Sequence, residues 1–159
     1  MSTLLERDKV EAAQSRLPVP IMRPTSHGSD AITYDRPASY YEQWSEALKA
    51  FRDVETLGDN WDDSGSKAPS PHLLDNVLDL MAALREGGFP APHDFSVGTR
   101  GEIALCWFGG RENYFEIRVH RPFVARWMAA MPGCPTRHGQ GVDAEAARWL
   151  ATVLKTRWQ

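Results

Sequence analysis

Cysteine is scarce in this chain, with only Cys106 and Cys134 among 159 residues. Two thiols do not make the disulfide framework of a small secreted scaffold. Long apolar runs are missing too, and no stretch approaches the roughly 18 residues that a membrane-spanning helix needs. The opening Met1-Ser2-Thr3-Leu4-Leu5-Glu6-Arg7-Asp8 lacks the basic stretch and apolar run of an export signal. We therefore expect a cytoplasmic protein with no membrane partner. A positive surplus is also lacking: the net charge is −3, which disfavours a generic nucleic-acid binder. No phosphate-cradling glycine loop, nucleophile elbow or zinc-protease signature occurs, so no cofactor and no assembled catalytic set is expected.

What the chain does contain is an ordinary globular composition. Its 42% apolar and 25% charged residues match what a folded domain of this length uses. Six tryptophans favour a compact core. Charge is unevenly spread. Residues 40–90 carry a net −6 and residues 91–159 a net +3, which places acidic and basic surfaces in different parts of the fold. Fourteen of the 18 basic residues are arginine, a side chain suited to planar recognition of carboxylate or phosphate.

Residues 1–38 read as a flexible N-terminal arm or linker. Residues 3–16 can form a short helix on a narrow apolar stripe, three prolines between Pro18 and Pro24 favour an extended chain, and Ala31–Tyr34 can add a strand. Residues 39–159 read as a single α+β domain. Ser39-Tyr40-Tyr41-Glu42 forms a capping box, followed by a stripe of Tyr41, Trp44, Leu48, Phe51 and Val54 and by Gly58 as a C-cap. Ser70-Pro71 opens a second helix with Leu73, Val77, Leu80, Met81 and Leu84 on its apolar face, stopped by Gly87-Gly88. Phe95 and Val97 can make a strand, and period-two alternation over Ile103–Trp107 and Phe115–Val119, with a Gly109-Gly110 turn between, predicts an antiparallel meander. Phe123–Met131 is open between strand and helix. After a loop from Pro132 to Gly141, Asp143 caps a last helix with Ala147, Leu150, Leu154 and Trp158 on one face. The order implies helices packed on one face of a three- to four-stranded antiparallel meander, covering Ile103, Leu105, Trp107, Phe115, Ile117, Val119 and Trp127. The opposite face would then show Cys106, Glu116, Arg118, His120 and Arg126.

The densest polar feature is Asp59-Asn60-Trp61-Asp62-Asp63-Ser64-Gly65. It imitates the start of a calcium loop, but the twelfth position from Asn60 is Pro71, where a closing glutamate is required. The side chains suit a turn better, with Gly65 at positive φ and Trp61 pinning the loop to the core. The pattern Leu57-x-x-Asn60-Trp61-Asp62-x-x-Gly65-x-x-x-Pro69-Ser70, followed by a helix and the Ile103-Ala104-Leu105-x-Trp107 strand, resembles a group of small uncharacterised bacterial proteins. They share an (N/G)WD-x-x-G-x-x-x-P-S segment before a helix and meander. The resemblance implies a fold and brings no activity.

Three functions are compatible with these residues. The first is a non-enzymatic protein-interaction module that inhibits or regulates a partner. Its contacts would be the acidic loop residues Asp59, Asn60, Trp61, Asp62 and Asp63, which suit an arginine-rich partner, or the basic sheet residues Arg111, Arg118 and Arg126, which suit an acidic one. The second is a nucleic-acid binder using the arginine-bearing sheet face. The third is a small hydrolase or thiol enzyme built on Cys106 with His120 as base. Cys134 and His138 stand four apart, but no second pair has metal-ligand spacing, so no metal is expected. Oligomeric state is unreadable at this level.

Overall fold

The structure, a computed structural model, describes residues 36–110 and 112–155. The expected short helix at 3–16, the Ala31–Tyr34 strand, Arg111 and Trp158 lie outside these residues.

Helix α1 spans Ala38–Glu55. It begins one residue earlier than the capping box implies. Pro37 flanks it with an extended backbone (φ −58°, ψ 148°), no side chain caps it, and Tyr40 N–H donates to the Pro37 carbonyl at 2.8 Å. Proline's preset φ lets the chain turn directly into the helix, which moves Ser39 into the first turn. The helix closes at Thr56, not at Gly58. Its buried stripe is Trp44, Ala47, Phe51 and Val54, so Tyr41 lies outside it and is exposed.

Helix α2 spans Pro71–Glu86 and starts as read, with Ser70 Oγ accepting from Leu73 N–H at 3.2 Å and Pro71 in its first turn. Its buried residues are Leu73, Val77, Leu80, Met81 and Leu84. Gly88 takes a left-handed φ of 83°, while Phe89 N–H reaches the Leu84 carbonyl at 3.0 Å and Gly88 N–H the Arg85 carbonyl at 3.2 Å. This pair of bonds satisfies the last turn. The Arg36 guanidinium adds donors to the carbonyls of Arg85 and Glu86, and Tyr40 OH donates to the Arg85 carbonyl at 2.5 Å.

Five strands follow: β1 Asp94–Val97, β2 Ile103–Phe108, β3 Tyr114–Arg121, β4 Val124–Ala130 and β5 Arg137–Gln140. They form one antiparallel sheet in sequence order, one strand more than expected. Phe123–Met131 thus contains a strand. The additional strand, β5, comes from the segment read as loop. Its residues carry no apolar alternation; it is held by backbone pairing to β4 and by Gly139 lying on the Trp127 indole, where a Cβ would collide with the ring.

The last helix, α3, spans Ala144–Lys155 and is capped by Asp143 Oδ1, which accepts from Ala146 N–H at 2.9 Å. Its buried stripe is Ala146, Leu150 and Val153. The expected stripe is rotated, with Ala147 and Leu154 at the half-buried flanks. Gly109 sets how closely α3 sits on the sheet: a Cβ there would overlap the Val153 carbonyl.

All three helices pack on one face of the sheet and share a single core with Ile103, Leu105, Trp107, Phe115, Ile117, Val119, Ala125, Trp127 and Ala129. Phe115 lies at its centre, 5.8 Å from the Trp107 ring and 6.0 Å from the Trp127 ring. No helix among the described residues is long and apolar enough to cross a membrane.

Two substitutions test this core. Phe115→Ala should cost about 3–5 kcal/mol in a denaturant titration. Gly139→Ala should cost about 1–3 kcal/mol through overpacking against Trp127, a penalty that a solvent loop at Arg137–Gln140 would not produce.

Candidate interaction surfaces

The acidic loop spends its oxygens on itself. Asn60 and Asp63 adopt left-handed backbone (φ 62° and 57°), as does Gly65 at 84°, conformations that Asn and Asp tolerate better than most side chains. Asn60 Oδ1 accepts from Gly65 N–H at 2.7 Å, Asp62 Oδ1 from Ser64 N–H at 3.0 Å and Ser66 N–H at 3.2 Å, and Asp59 Oδ1 from Ala68 N–H at 2.9 Å. Ser66 Oγ donates to Asp62 Oδ2 at 2.6 Å. That hydroxyl, with the backbone donors, holds the Asp62 carboxyl below its ordinary pKa against the opposing effect of burial. The loop is then stitched to the sheet: Lys67 N–H donates to the Thr99 carbonyl at 2.9 Å, and Gly101 packs so closely that a Cβ would lie 2.6 Å from the Ala68 carbonyl oxygen.

The turn reading therefore holds, with one correction. Trp61 does not pin the loop to the core. It is 38% exposed, and its Nε1–H reaches across the loop to the Lys67 carbonyl at 3.3 Å. Among the described residues no group of three or more His, Cys, Asp or Glu side chains is placed to hold a metal ion.

The helix-free face of the sheet is organised around Glu116. This residue is only 7% exposed although none of the described helices covers it. Its neighbours across β2 are small: Cys106 is its register partner and Ala104 that of Arg118. Long side chains lie across these small ones and bury them, so Ala104 and Cys106 are inaccessible where simple alternation expects a wet face. Tyr114 OH donates to Glu116 Oε2 at 2.6 Å. Arg118 Nε and Nη2 donate to the two Glu116 oxygens at 3.1 and 3.2 Å. Burial pushes the Glu116 carboxyl up, but the Arg118 and Tyr114 hydrogen bonds and the Arg118 charge outweigh it, and the carboxyl sits below its ordinary pKa. The Glu116 hydrogen bond in turn raises Arg118, which also approaches Glu102 Oε1 at 4.0 Å. Tyr114 is pushed up by burial first and then by its bonds to Cys106 and Glu116.

Cys106 does not have His120, the expected base, beside it. Its Sγ lies 3.2 Å from Tyr114 OH. His120 is four residues along β3 from Glu116, the register partner of Cys106, which is about 13 Å of strand. Burial raises the thiol, and the Glu116 and Asp94 carboxylates push it the same way against the Tyr114 bond. A thiol so placed stays protonated and is a poor nucleophile.

Arg118 and Arg126 are direct register partners. Like charges opposed across strands repel. Glu116 and Glu102 answer the charge of Arg118, whereas Arg126 is exposed and has no ion pair among the described residues. Arg111 lies outside them. At the β3–β4 turn the sheet ends in a residue not anticipated from the sequence. Phe123 is the most exposed large apolar side chain described, at 60%, and its backbone is left-handed with φ 65°. Its N–H donates to Asn76 Oδ1 of α2 at 3.0 Å, which fixes the turn. The Arg121-Pro122-Phe123-Val124 sequence carried a signal: a proline-started turn whose next position wants glycine. On the helix-free face Phe108 is exposed at the end of β2, with its ring 5.5 Å from that of Tyr114.

No family model matches this chain, and no curated protein or solved structure does. The surfaces must be read from their own chemistry.

Glu116 makes a test of the polar network. Its folded pKa lies below the unfolded value, so its contribution is present above about pH 4.5 and disappears as pH falls through the lower folded value. Glu116→Gln should destabilise the protein near neutral pH by about 1–3 kcal/mol. The difference from wild type should shrink steadily below about pH 4 in parallel urea titrations.

Proposed function

We propose that this protein is a non-enzymatic, cytoplasmic protein-interaction module. It engages an acidic surface of a partner protein, which it thereby inhibits or regulates, through the β3–β4 end of its helix-free sheet face. Phe123 carries this reading. A phenylalanine in left-handed backbone costs about 1–3 kcal/mol, and leaving its ring in water recovers none of that. Such a residue makes sense as a contact: exposed aromatics that become buried on association dominate binding energies. Arg126, uncompensated on the same strand pair, supplies the charge that a partner carboxylate would meet in a planar, two-pronged geometry.

The same logic demotes the acidic loop. Asp59, Asn60 and Asp62 already accept backbone and hydroxyl protons, so a partner's arginine would have to compete with them. Nucleic-acid binding keeps one supporting observation, the exposed Phe108 beside Tyr114 on the arginine-bearing face. Against it, the centre of that face holds Glu116, and Glu102 lies beside Arg118, where phosphates would be repelled.

The test is affinity capture from the native host with wild type, Phe123→Asn and Arg126→Glu, each with and without nuclease. Asparagine tolerates left-handed backbone, so F123N should match wild-type stability or exceed it by up to about 1 kcal/mol. We expect a protein captured by wild type, resistant to nuclease, and lost with both variants. A captured set unchanged by F123N and R126E, or one stripped by nuclease, would refute the reading.

A further inference from the structure

A groove of about 800 Å³ runs between α1 and the segment Pro90–Phe95, and is closed at one end by Leu154 of α3. It lies on the helical side of the molecule, apart from the sheet face discussed above. We infer that this groove is a second docking site, and that its occupant is a cationic amphipathic helix of a partner protein. The inference extends the interaction-module reading to another surface and does not depend on Phe123.

Shape argues for a helix. The α1 wall consists of Ser39, Glu42, Gln43, Glu46, Ala47 and Ala50, one unbroken stripe at helical spacing. The twelve residues from Ser39 to Ala50 give about 16 Å of wall, three turns of an opposing helix. The stripe ends in Ala47 and Ala50, whose small side chains permit close approach of a second backbone. The opposite wall offers few backbone groups to an extended peptide between Pro90 and His93: Pro90 and Pro92 have no N–H, the His93 N–H is spent on the Cys106 carbonyl at 2.8 Å, and the Pro90 carbonyl is taken by Trp107 Nε1 at 3.1 Å. The apolar floor at Ala91, Phe95 and Leu154 favours side-chain packing into the groove instead.

Charge argues for a cation. Glu42 and Glu46 stand one turn apart on the rim, and among the described residues neither lysine nor arginine lines the groove. Glu42 has no ion pair among the described residues. Glu46 has only Lys49, at 2.6 Å with both side chains largely in water, a pairing weak enough to be exchanged for a partner's. The α1 wall belongs, apart from Ser39, to residues 40–90, which carry a net −6. Lysines or arginines flanking an apolar helical stripe would meet the two glutamates as the stripe seats on the floor.

The probe is a fluorescein-labelled 14-residue peptide (about four helical turns) with leucines at helical spacing and lysines elsewhere. A control peptide has glutamate for every lysine. In anisotropy titrations of the full chain we expect the lysine peptide to bind and the glutamate peptide to be silent. Glu42→Arg with Glu46→Arg should weaken binding at least tenfold, and Ala50→Trp, which fills the groove without altering charge, should abolish it. Phe123→Asn should leave it unchanged, so failure here and failure of the sheet-face reading are separable. Three results would overturn the inference: no binding to wild type; equal weakening by Asp75→Arg with Asp79→Arg, two exposed positions on α2 outside the groove, which would mean general attraction only; or binding that emerges only in Arg157→Glu/Trp158→Ala, which would make the chain's own end the occupant.

Discussion

Two buried indoles hold the connection on which the rest of the architecture depends. Trp44 on α1 donates its Nε1–H to the Phe89 carbonyl at 3.1 Å, and Trp107 on β2 donates to the neighbouring Pro90 carbonyl at 3.1 Å. The chain must leave α2, cross beneath α1 and enter the sheet, and a buried crossing carries carbonyls that water cannot satisfy. Tryptophan solves both needs together, because one side chain brings a large apolar surface and a single donor. The crossing is clamped from the helix side and from the sheet side, and α1 is thereby set at a fixed distance from β1. That spacing creates the groove beside Pro90–Phe95. The rigidity is a product of core packing, so the groove exists before anything occupies it.

The opposite face is ordered by a different device. Here no layer of helices excludes water, yet Ala104 and Cys106 are buried and Glu116 nearly so. Small residues on β2 leave a depression, and the Tyr114, Glu116 and Arg118 side chains of β3 close over it through mutual hydrogen bonds. A charged group placed there is acceptable because its desolvation is offset by three hydrogen bonds from two partners, Tyr114 and Arg118. The result is a flat, stiff face whose polar groups are mostly paired. Arg126 and the turn at Phe123 stand out from it, one by charge and one by apolar exposure.

Where local chemistry decides structure, the sequence was legible. Ser70-Pro71 could start a helix and little else, and the five apolar residues of α2 are the five that are buried. The paired alternation of β2 and β3 gave both the strands and the face the helices cover. Legibility failed where a neighbour in space decides. Arg137-His138-Gly139-Gln140 has no strand pattern of its own and becomes β5 because β4 offers it a backbone edge. Cys106 and Glu116 alternate like exposed residues and are buried because the residues opposite happen to be small or long. Ser39 makes a sound capping box by composition, but Pro37 starts the helix first. Phe123 reads from the sequence as the first residue of a strand or helix; it lies instead in the turn before β4, in left-handed backbone and bonded to Asn76 across the fold.

Surface chemistry follows from this division of labour. Residues 40–90 carry the acidic excess and residues 91–159 the basic one, but α3 belongs to the second span and packs in the same layer as α1 and α2, so the division of charge along the chain is not a division between two faces. The open face itself mixes signs, with Glu102 and Glu116 beside Arg118. Glu102 near Arg118 belongs to the sheet's own strands and turns, and Lys49 with Glu46 to α1 itself; neither pair joins the helix layer to the sheet.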